Sequence, residues 1–376
     1  MCAPPLLVSL PLTRGRFIED RQAFDRGERP SPVPPDDPDG IALDDPFDLI
    51  ARPNPEAVRD RLRHRDLELT GDLGHVLTLA RATALIKHGI LRHLSPGGIG
   101  SRDHDVQRLM LTDSLATELL DALDRNRLME TISARDSSFD SAAAYEVSAE
   151  IFRRRRARGE RPAGRKIGFT NRLIWDEYRV SSPMWGYVYD RTVTWLDEPV
   201  ARLAVGHLCQ PRIEPEVVLH FASAPGSATD EVELLSTIDW IAHGFEIVQT
   251  HFLDWKFTLA DTIADFGLHG ALVVGPPCPL SPGDHVVSRL RAFAISLARD
   301  GVVQAHGAGA NVLDSPLMAA LHLLRVLREQ RLFEPVQAGE IVTTGTLTPA
   351  LPIHAGETWT TNLSGIDLPG LSLRVE

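Results

Sequence analysis

The sequence has few cysteines, and those that it has are far apart. Cys2, Cys209 and Cys278 are the three cysteines of a 376-residue chain, an odd number with no short spacing between any two of them. This pattern excludes a disulfide framework and a cysteine-based zinc site. A reducing environment fits it best, and we expect a cytoplasmic protein.

The chain also lacks an excess of positive charge and any long apolar run. Its 39 Lys and Arg against 51 Asp and Glu give a formal net charge of −12, which argues against general binding of nucleic acid. No stretch of about 18 apolar residues exists, so we expect no membrane span. The first twelve residues have no basic start before an apolar core, and so they do not predict a signal peptide.

Proline and β-type patterning divide the chain into four parts. Residues 1–55 hold eleven of the 27 prolines, which predicts a disordered, Pro-rich arm. Helical periodicity predicts a helical extension over 56–105, whose role the sequence does not identify, and a helical subdomain over 106–163 whose first helix begins near Thr112. Over 164–376, short β-type runs alternate with Gly and Pro breaks and two helices interrupt them, which predicts a β-dominated α+β domain.

The most informative stretch places two acids in an otherwise apolar run, Arg212-Ile213-Glu214-Pro215-Glu216-Val217-Val218-Leu219. In a strand, residues i and i+2 point to the same face, so Glu214 and Glu216 lie side by side. Paired carboxylates that lose hydration need a compensating cation, and a hard divalent metal with oxygen ligands supplies it. A solvated edge strand that binds nothing is the alternative. Glu246, in a second apolar run, offers a third carboxylate.

Five segments occur in a fixed order along the chain: Gly164–Thr170 (GRKIGFT), Gln210–Glu216 (QPRIEPE), Phe245–Val248 (FEIV), Asp254–Asp265 (DWKFTLADTIAD), and Gly345–Thr348 (GTLT) followed by Pro352. Together they resemble the motifs of the fumarylacetoacetate hydrolase superfamily. Within it, the chain is similar to the branch of the 2-oxopent-4-enoate hydratases and 4-oxalocrotonate decarboxylases. The resemblance runs from about residue 110 to the end.

The resemblance implies a fold, a metal and a metal site. The fold is α+β, a β-dominated fumarylacetoacetase-like mixed β-sandwich or roll with a helical N-terminal part, and residues 164–376 form its metal-binding catalytic domain. The family's three metal-binding carboxylates match Glu214, Glu216 and Glu246, the same acids that the strand argument selects. The implied cofactor is Mg²⁺ or Mn²⁺.

Two lysines are candidates for contact with the substrate. Lys166 lies between Gly164 and Gly168, which let the backbone approach a ligand closely. We expect it to pair with a substrate carboxylate or to move a proton, with a pKa lowered by an apolar pocket and a nearby cation. An exposed surface lysine is the alternative. Lys256, between two aromatic residues, is a second candidate for binding an anion.

The remaining candidates are polar residues in the matched segments. Asp261 and Asp265 are four residues apart, so they share a helix face and either orient Lys256 or are solvated. Thr346 and Thr348 follow Gly345, and this loop is expected to hydrogen-bond the substrate carboxylate. Ordinary strand threonines are the alternative for both.

The resemblance implies a metal-dependent lyase that acts on an unsaturated 2-oxo acid in the meta-cleavage catabolism of aromatic compounds. Met184 stands where the hydratases carry an acid, which favours decarboxylation of a 2-oxohex-3-enedioate (4-oxalocrotonate)-like diacid through a metal-stabilised enolate. Hydration of 2-hydroxypenta-2,4-dienoate is the alternative. A non-catalytic scaffold is the alternative of another class, because Phe266 and Asp314-Ser315 depart from the family pattern. We expect a homo-oligomer, and a complex with a related hydratase or decarboxylase is a further expectation.

Overall fold

The computed structural model describes residues 99–280 and 285–376, and the side chains from residue 106 onward. The predicted arm at 1–55 lies outside the described residues. So does most of the predicted extension at 56–105, of which the described part, residues 99–105, begins a helix. Every helix in the described ranges is too short or too polar to cross a lipid bilayer.

Within residues 99–161, three helices precede the strands of the described part: α1 (Ile99–Asp124), α2 (Ile132–Arg135) and α3 (Ser141–Ala157). Helix α1 begins well before Thr112, because no glycine or proline interrupts the chain between Gly100 and that residue. Helix α3 begins where Asp140 accepts a hydrogen bond from the Ala143 N–H, which satisfies one of the free donors of the first turn.

Fourteen strands of the described residues form two sheets. The larger sheet contains β1 (Pro162–Gly168), β2 (Met184–Tyr189), β3 (Val193–Trp195), β5 (Arg212–Phe221), β6 (Ile238–Val248), β7 (His269–Val274), β8 (Cys278–Pro279), β11 (Ile341–Thr343) and β12 (Leu351–Pro352). The smaller sheet contains β4 (Val200–Leu203), β9 (Ala294–Arg299), β10 (Val302–Ala308), β13 (Thr358–Ser364) and β14 (Ser372–Val375). Later helices are α4 (Trp175–Tyr178), α5 (Glu231–Leu235), α6 (Leu259–Ala264), α7 (Val286–Ala292) and α8 (Pro316–Glu329).

The larger sheet curls into a roll. Its order is β2-β1-β11-β5-β6-β7-β3, so β2 and β3 lie at opposite ends of the hydrogen-bonded path. Only the short turn Asp190–Thr192 separates them in the chain, and the two ends must therefore approach each other. A small set of buried apolar side chains from β2, β5, β6, β7 and β11 packs together: Val188, Val218, Ala242, Leu272, Val274 and Ile341.

The opposite face of the central strands packs on the smaller sheet. Ile213, Phe245 and Ile247 share a buried cluster with side chains of the smaller sheet, among them Leu297, Trp359 and Leu373. Parallel pairs (β1 with β11, and β3 with β7) occur in the same sheet as antiparallel pairs. The prediction of a β-dominated α+β fold of the mixed sandwich or roll type is confirmed.

Asp261 joins the N-terminal helices to the region that carries the site. Its Oδ2 accepts hydrogen bonds from the N–H and hydroxyl of Thr258, at 2.8 Å each, in a capping box that begins α6. Ser133 of α2 donates its N–H to Oδ1 at 3.0 Å and its hydroxyl to Oδ2 at 2.5 Å. The carboxylate is fully buried, so four donors depend on it.

Replacing Asp261 with alanine is therefore expected to lower the free energy of unfolding by about 2–4 kcal/mol, because buried donors lose their acceptor. Ser133→Ala removes one of these bonds and is expected to cost about 1 kcal/mol. Urea denaturation of the two variants measures both effects. An Asp261→Ala protein as stable as the parent would contradict this structural role.

Candidate metal centre

Two central strands bring three carboxylates together. In the antiparallel register of β5 and β6, Glu214 lies opposite Glu246, and Glu216 lies opposite Gly244. One carboxylate oxygen from each glutamate lies within 4.8 Å of the other two. Strand β5 is central, between β11 and β6, and Glu216 and Glu246 are fully buried. The alternative of a solvated edge strand is therefore excluded.

Hydrogen bonds use one oxygen of each buried carboxylate. Glu246 Oε1 lies 3.1 Å from Lys166 Nζ and 2.9 Å from His269 Nδ1. Glu216 Oε2 accepts a hydrogen bond from the Gly345 N–H at 2.8 Å. Both carboxylates are thus held in fixed orientations by the surrounding protein.

The other oxygen of each buried carboxylate has no partner among the described residues. Glu216 Oε1 and Glu246 Oε2 are buried and accept no hydrogen bond there. Such orphaned acceptors cost free energy unless something else binds them. Together with Glu214 they form a set of oxygen donors that suits a hard divalent cation such as Mg²⁺, Mn²⁺ or Ca²⁺.

The pKa values of the three carboxylates reflect their burial and their mutual repulsion. Burial and the charge of Glu246 raise the pKa of Glu214 to about 7, against the opposing charges of Lys166 and Arg212. Burial and the two other glutamates raise the pKa of Glu216 well above its ordinary value. For Glu246, the neighbouring Lys166 and the hydrogen bond from His269 outweigh burial and lower the pKa to about 2.

Lys166 extends from β1 to this cluster and is fully buried, which excludes an exposed surface lysine. Its burial lowers its pKa, but the charges of Glu246, Glu214 and Glu216 outweigh this and hold the pKa above the ordinary value. The lowered pKa was expected for a lysine beside a bound cation, and it stays a prediction for that state. Without a cation, the three carboxylates around the ammonium group have the opposite effect.

His269, which lies outside the motifs read from the sequence, is the second partner of Glu246. It begins β7, and with the ring proton on Nδ1 its Nε2 accepts a hydrogen bond from the Thr192 hydroxyl at 2.8 Å. Burial lowers the pKa of His269, although the hydrogen bond to Glu246 opposes this shift. A neutral ring with its proton on Nδ1 donates to Glu246 and fixes the carboxylate plane.

The loop after β11 supplies the N–H that holds Glu216. Gly345 has φ +98°, and a Cβ there would lie 1.8 Å from the Thr170 hydroxyl oxygen, so only glycine fits. The hydroxyl of Thr346 donates to the Thr348 carbonyl at 2.6 Å, and the Thr348 hydroxyl donates to the Pro349 carbonyl at 3.2 Å. Both hydroxyl protons are used within the loop, and neither threonine is in a regular strand.

The structure does not bring the other three predicted residues to the carboxylates. The Lys256 side chain is 82% exposed, with Nζ 3.5 Å from Asp254. Asp261 is used by the capping box that begins α6. Asp265 accepts from the Thr250 hydroxyl at 3.0 Å, and from the His251 N–H at 2.9 Å and its Nδ1 at 2.5 Å. Both aspartates are buried and hydrogen-bonded elsewhere, so neither orients Lys256 and neither is solvated.

No family model matches the chain. Over 251 residues it is 30% identical to the 2-hydroxyhexa-2,4-dienoate hydratase of Comamonas testosteroni, which covers 66% of this chain and 92% of that protein. Over 226 residues it is 30% identical to a 2-keto-4-pentenoate hydratase of Paraburkholderia xenovorans, covering 59% of this chain and 80% of that one.

Among solved structures, it is similar to the 4-oxalocrotonate decarboxylase from Pseudomonas putida G7 complexed with magnesium and adipate. The TM-score is 0.64 and the identity 25%, over 71% of this chain and 98% of that chain. The same decarboxylase complexed with calcium and acetate gives a TM-score of 0.62 and 26% identity, over 70% of this chain and 97% of that chain.

The raised pKa values predict how stability depends on pH. The pKa of Glu214 rises from 4.5 to about 7, so between these values the folded, chelator-treated protein binds more protons than the unfolded chain. The Glu214 contribution to the free energy of unfolding should therefore fall as the pH rises from about 5 to about 7.5, whereas the buried His243 and His269, whose pKa values are lowered, contribute in the opposite sense below about pH 6.5. A divalent cation replaces those protons and should remove the fall. Denaturation midpoints measured across this range, with chelator or with Mn²⁺, test this, and identical profiles would contradict it.

Proposed function

Because this chain belongs to the fumarylacetoacetate hydrolase superfamily, in the branch of the 2-keto-4-pentenoate hydratases and 4-oxalocrotonate decarboxylases, we propose that it is a divalent-metal-dependent lyase of an unsaturated 2-oxo acid. The observation that carries the proposal is the pair of orphaned oxygens, Glu216 Oε1 and Glu246 Oε2, beside Glu214. In this proposal the three glutamates hold Mg²⁺ or Mn²⁺. A cation held there supplies Lewis-acid polarisation of a 2-oxo carbonyl.

The substrate we propose is a 2-oxohex-3-enedioate-like diacid, which the enzyme decarboxylates. The bond to the remote carboxylate breaks and that group leaves as CO₂. The electron pair passes through the conjugated double bond to the 2-oxo oxygen, and protonation there gives a 2-hydroxydienoate. The decarboxylase from Pseudomonas putida G7 is named for this class of substrate, and it was solved with adipate, a six-carbon diacid.

Met184 is the feature of this chain that favours decarboxylation over hydration. It is buried in β2, and the point where a Cβ of residue 168 would lie is 2.7 Å from Met184 Cε and 3.6 Å from Lys166 Cε. The thioether and the lysine stem therefore lie on the same side of Gly168. An apolar side chain there cannot hydrogen-bond a water molecule and direct it to the substrate, as hydration requires.

Lys166 is the residue that we propose to move the proton. Its Nζ lies 3.1 Å from Glu246 Oε1, so it is within reach of a substrate held at the same carboxylates. His269 and Lys166 both contact Glu246 Oε1, so a shift of Lys166 toward substrate leaves His269 to hold that oxygen. The Gly345 loop, with Thr346 and Thr348, is proposed to lie along the substrate's first carboxylate, next to Glu216.

Hydration of 2-hydroxypenta-2,4-dienoate is the second candidate. The relatives at 30% identity are named 2-hydroxyhexa-2,4-dienoate hydratase and 2-keto-4-pentenoate hydratase, whereas the decarboxylase similarity rests on structure at 25–26% identity. Both reactions use a 2-oxo acid at the same carboxylates. They differ in the group that acts at the far end of the substrate, where this chain has Met184.

Incubation of the metal-loaded protein with the 2-oxohex-3-enedioate should release one CO₂ per substrate consumed, and removal of the metal with a chelator should stop it. Glu216→Gln should lower the rate at least 100-fold, because a charged carboxylate that would hold the cation becomes a neutral amide. CO₂ detection and ¹³C NMR of the product measure this. A hydratase would instead add water to the monoacid, with loss of the dienoate absorbance, and would release no CO₂ from the diacid.

Lys166→Met should lower kcat roughly 10²- to 10⁴-fold, the usual contribution of a positioned proton donor. The same variant should bind Mn²⁺ at least as tightly as the parent, since it removes a positive charge that competes for Glu246. Steady-state kinetics and calorimetric titration separate the two effects. Loss of metal binding in this variant, or retention of full kcat, would show that Lys166 is not the proton donor.

A further inference from the structure

Arg212 shares a face of β5 with the carboxylates. Arg212, Glu214 and Glu216 are at i, i+2 and i+4 of one strand, so their side chains point to the same side. Along this series Glu216 is fully buried, whereas Glu214 and Arg212 are partly exposed. The strand is therefore closed to solvent at Glu216 and partly open to it at Glu214 and Arg212.

Two aromatic side chains hold the guanidinium in place. Arg212 Cζ lies 4.2 Å from the centroid of the Trp255 ring, and NH1 donates to the Tyr178 hydroxyl at 2.7 Å. The Tyr178 ring stacks on Phe257, with centroids 5.9 Å apart and planes 7° from parallel. Stacking against an aromatic face orients the planar fork of an arginine and leaves its edge free for a carboxylate.

The support for Trp255 is built into the backbone. The Gln210 side-chain amide donates to the backbone carbonyls of Thr250 at 3.2 Å and Phe252 at 2.8 Å, and its Oε1 accepts from the Asp254 N–H at 2.9 Å. The Trp255 indole N–H donates to the backbone carbonyl of Gln210 at 3.1 Å. Asp254 and Trp255 have φ of +59° and +57°, values that cost free energy in non-glycine residues. This turn places an indole under Arg212 at a conformational cost.

No carboxylate of the described residues lies within ion-pair distance of Arg212, whereas the buried Arg155 and Arg165 each pair with a glutamate. The neutral Tyr178 hydroxyl is the hydrogen-bond acceptor of Arg212 among those residues. A preorganised arginine with donors to spare beside a metal-type carboxylate cluster is suited to binding an anionic ligand group.

We propose that Arg212, held between Trp255 and Tyr178, binds the remote carboxylate of a 2-oxo diacid whose other end lies at Glu214, Glu216 and Glu246. The proposal rests on the proposed function and adds the residue that selects diacids over monoacids. Two residues along a strand span about 7 Å, a distance that an extended six-carbon chain covers between its 2-oxo group and its remote carboxylate. Lys256, whose charge Asp254 neutralises in solvent, has no such position.

This role has a consequence for kinetics. The remote carboxylate is the group that leaves as CO₂, so an arginine that binds it stabilises the bound substrate more than the transition state. Such binding lowers KM and does not raise kcat. Arg212 is accordingly a substrate-binding residue, and its removal should raise KM for the diacid while kcat stays the same or increases.

The test measures binding without turnover. Two unreactive probes, 2-oxoadipate (a diacid) and 2-oxohexanoate (a monoacid of equal chain length), are titrated calorimetrically into the Mn²⁺-loaded full-length protein. The parent should bind the diacid about 10- to 100-fold more tightly, as one charge-assisted pair allows. Arg212→Met should remove this preference by weakening the diacid alone. Tyr178→Phe should reduce the preference partly, because the guanidinium loses its tether.

Arg202→Met is the matched control, since Arg202 is 75% exposed in the smaller sheet and pairs with Glu376. It should keep the full preference. Equal affinities for the two probes in the parent, or a preference that survives Arg212→Met, would overturn the proposal. Equal loss of affinity for both probes in Arg212→Met would also overturn it, because that result would mean that Arg212 supports the metal site. Loss of the preference in Lys256→Met would overturn it as well. If neither probe binds the parent, the proposed function itself fails.

Discussion

The structure depends on the electrostatics of three carboxylates held in one buried place. Glu214, Glu216 and Glu246 converge with a single lysine, so their negative charge exceeds the positive charge that the described residues supply there. In the chain by itself, burial together with this excess raises the pKa values of two of the three glutamates. Two orphaned oxygens remain, and a divalent cation satisfies both demands at once. The proposed chemistry is a consequence of that requirement.

The fold keeps this unfavourable arrangement intact. Register between β5 and β6 sets Glu214 against Glu246, and a slip of one residue would turn either acid to the opposite, apolar face. The short link between β2 and β3 curls the sheet, and Thr192 in that link reaches His269, which orients Glu246. On the other face of the same strands, apolar side chains are buried between the two sheets. Their burial contributes free energy of folding that offsets the cost of burying the carboxylates.

Local periodicity was enough to predict part of the site. The side-by-side placement of Glu214 and Glu216 is a property of any strand. A second apolar run offered Glu246, and the family motifs matched all three acids. A capping-box pattern, Thr258 with an acid three residues later, was readable and explains Asp261, which was predicted to orient Lys256 or to be solvated instead. His269 was not readable, because a bulge between Ile247 and Val248 sets its pairing across the sheet. The left-handed turn at Asp254 and Trp255 was not readable from the sequence either, and it leaves the Lys256 side chain in solvent.

The central claim is that the chain binds one divalent cation through these carboxylates, and metal titration tests it most directly. Mn²⁺ is titrated calorimetrically into the chelator-treated protein and into Glu246→Gln, with circular dichroism to establish that both are folded. We expect one site per chain in the parent and at least 100-fold weaker binding in the variant, because a charged ligand is lost from a three-carboxylate site. Absence of binding to the folded parent at millimolar Mn²⁺ would contradict it and favour a non-catalytic scaffold.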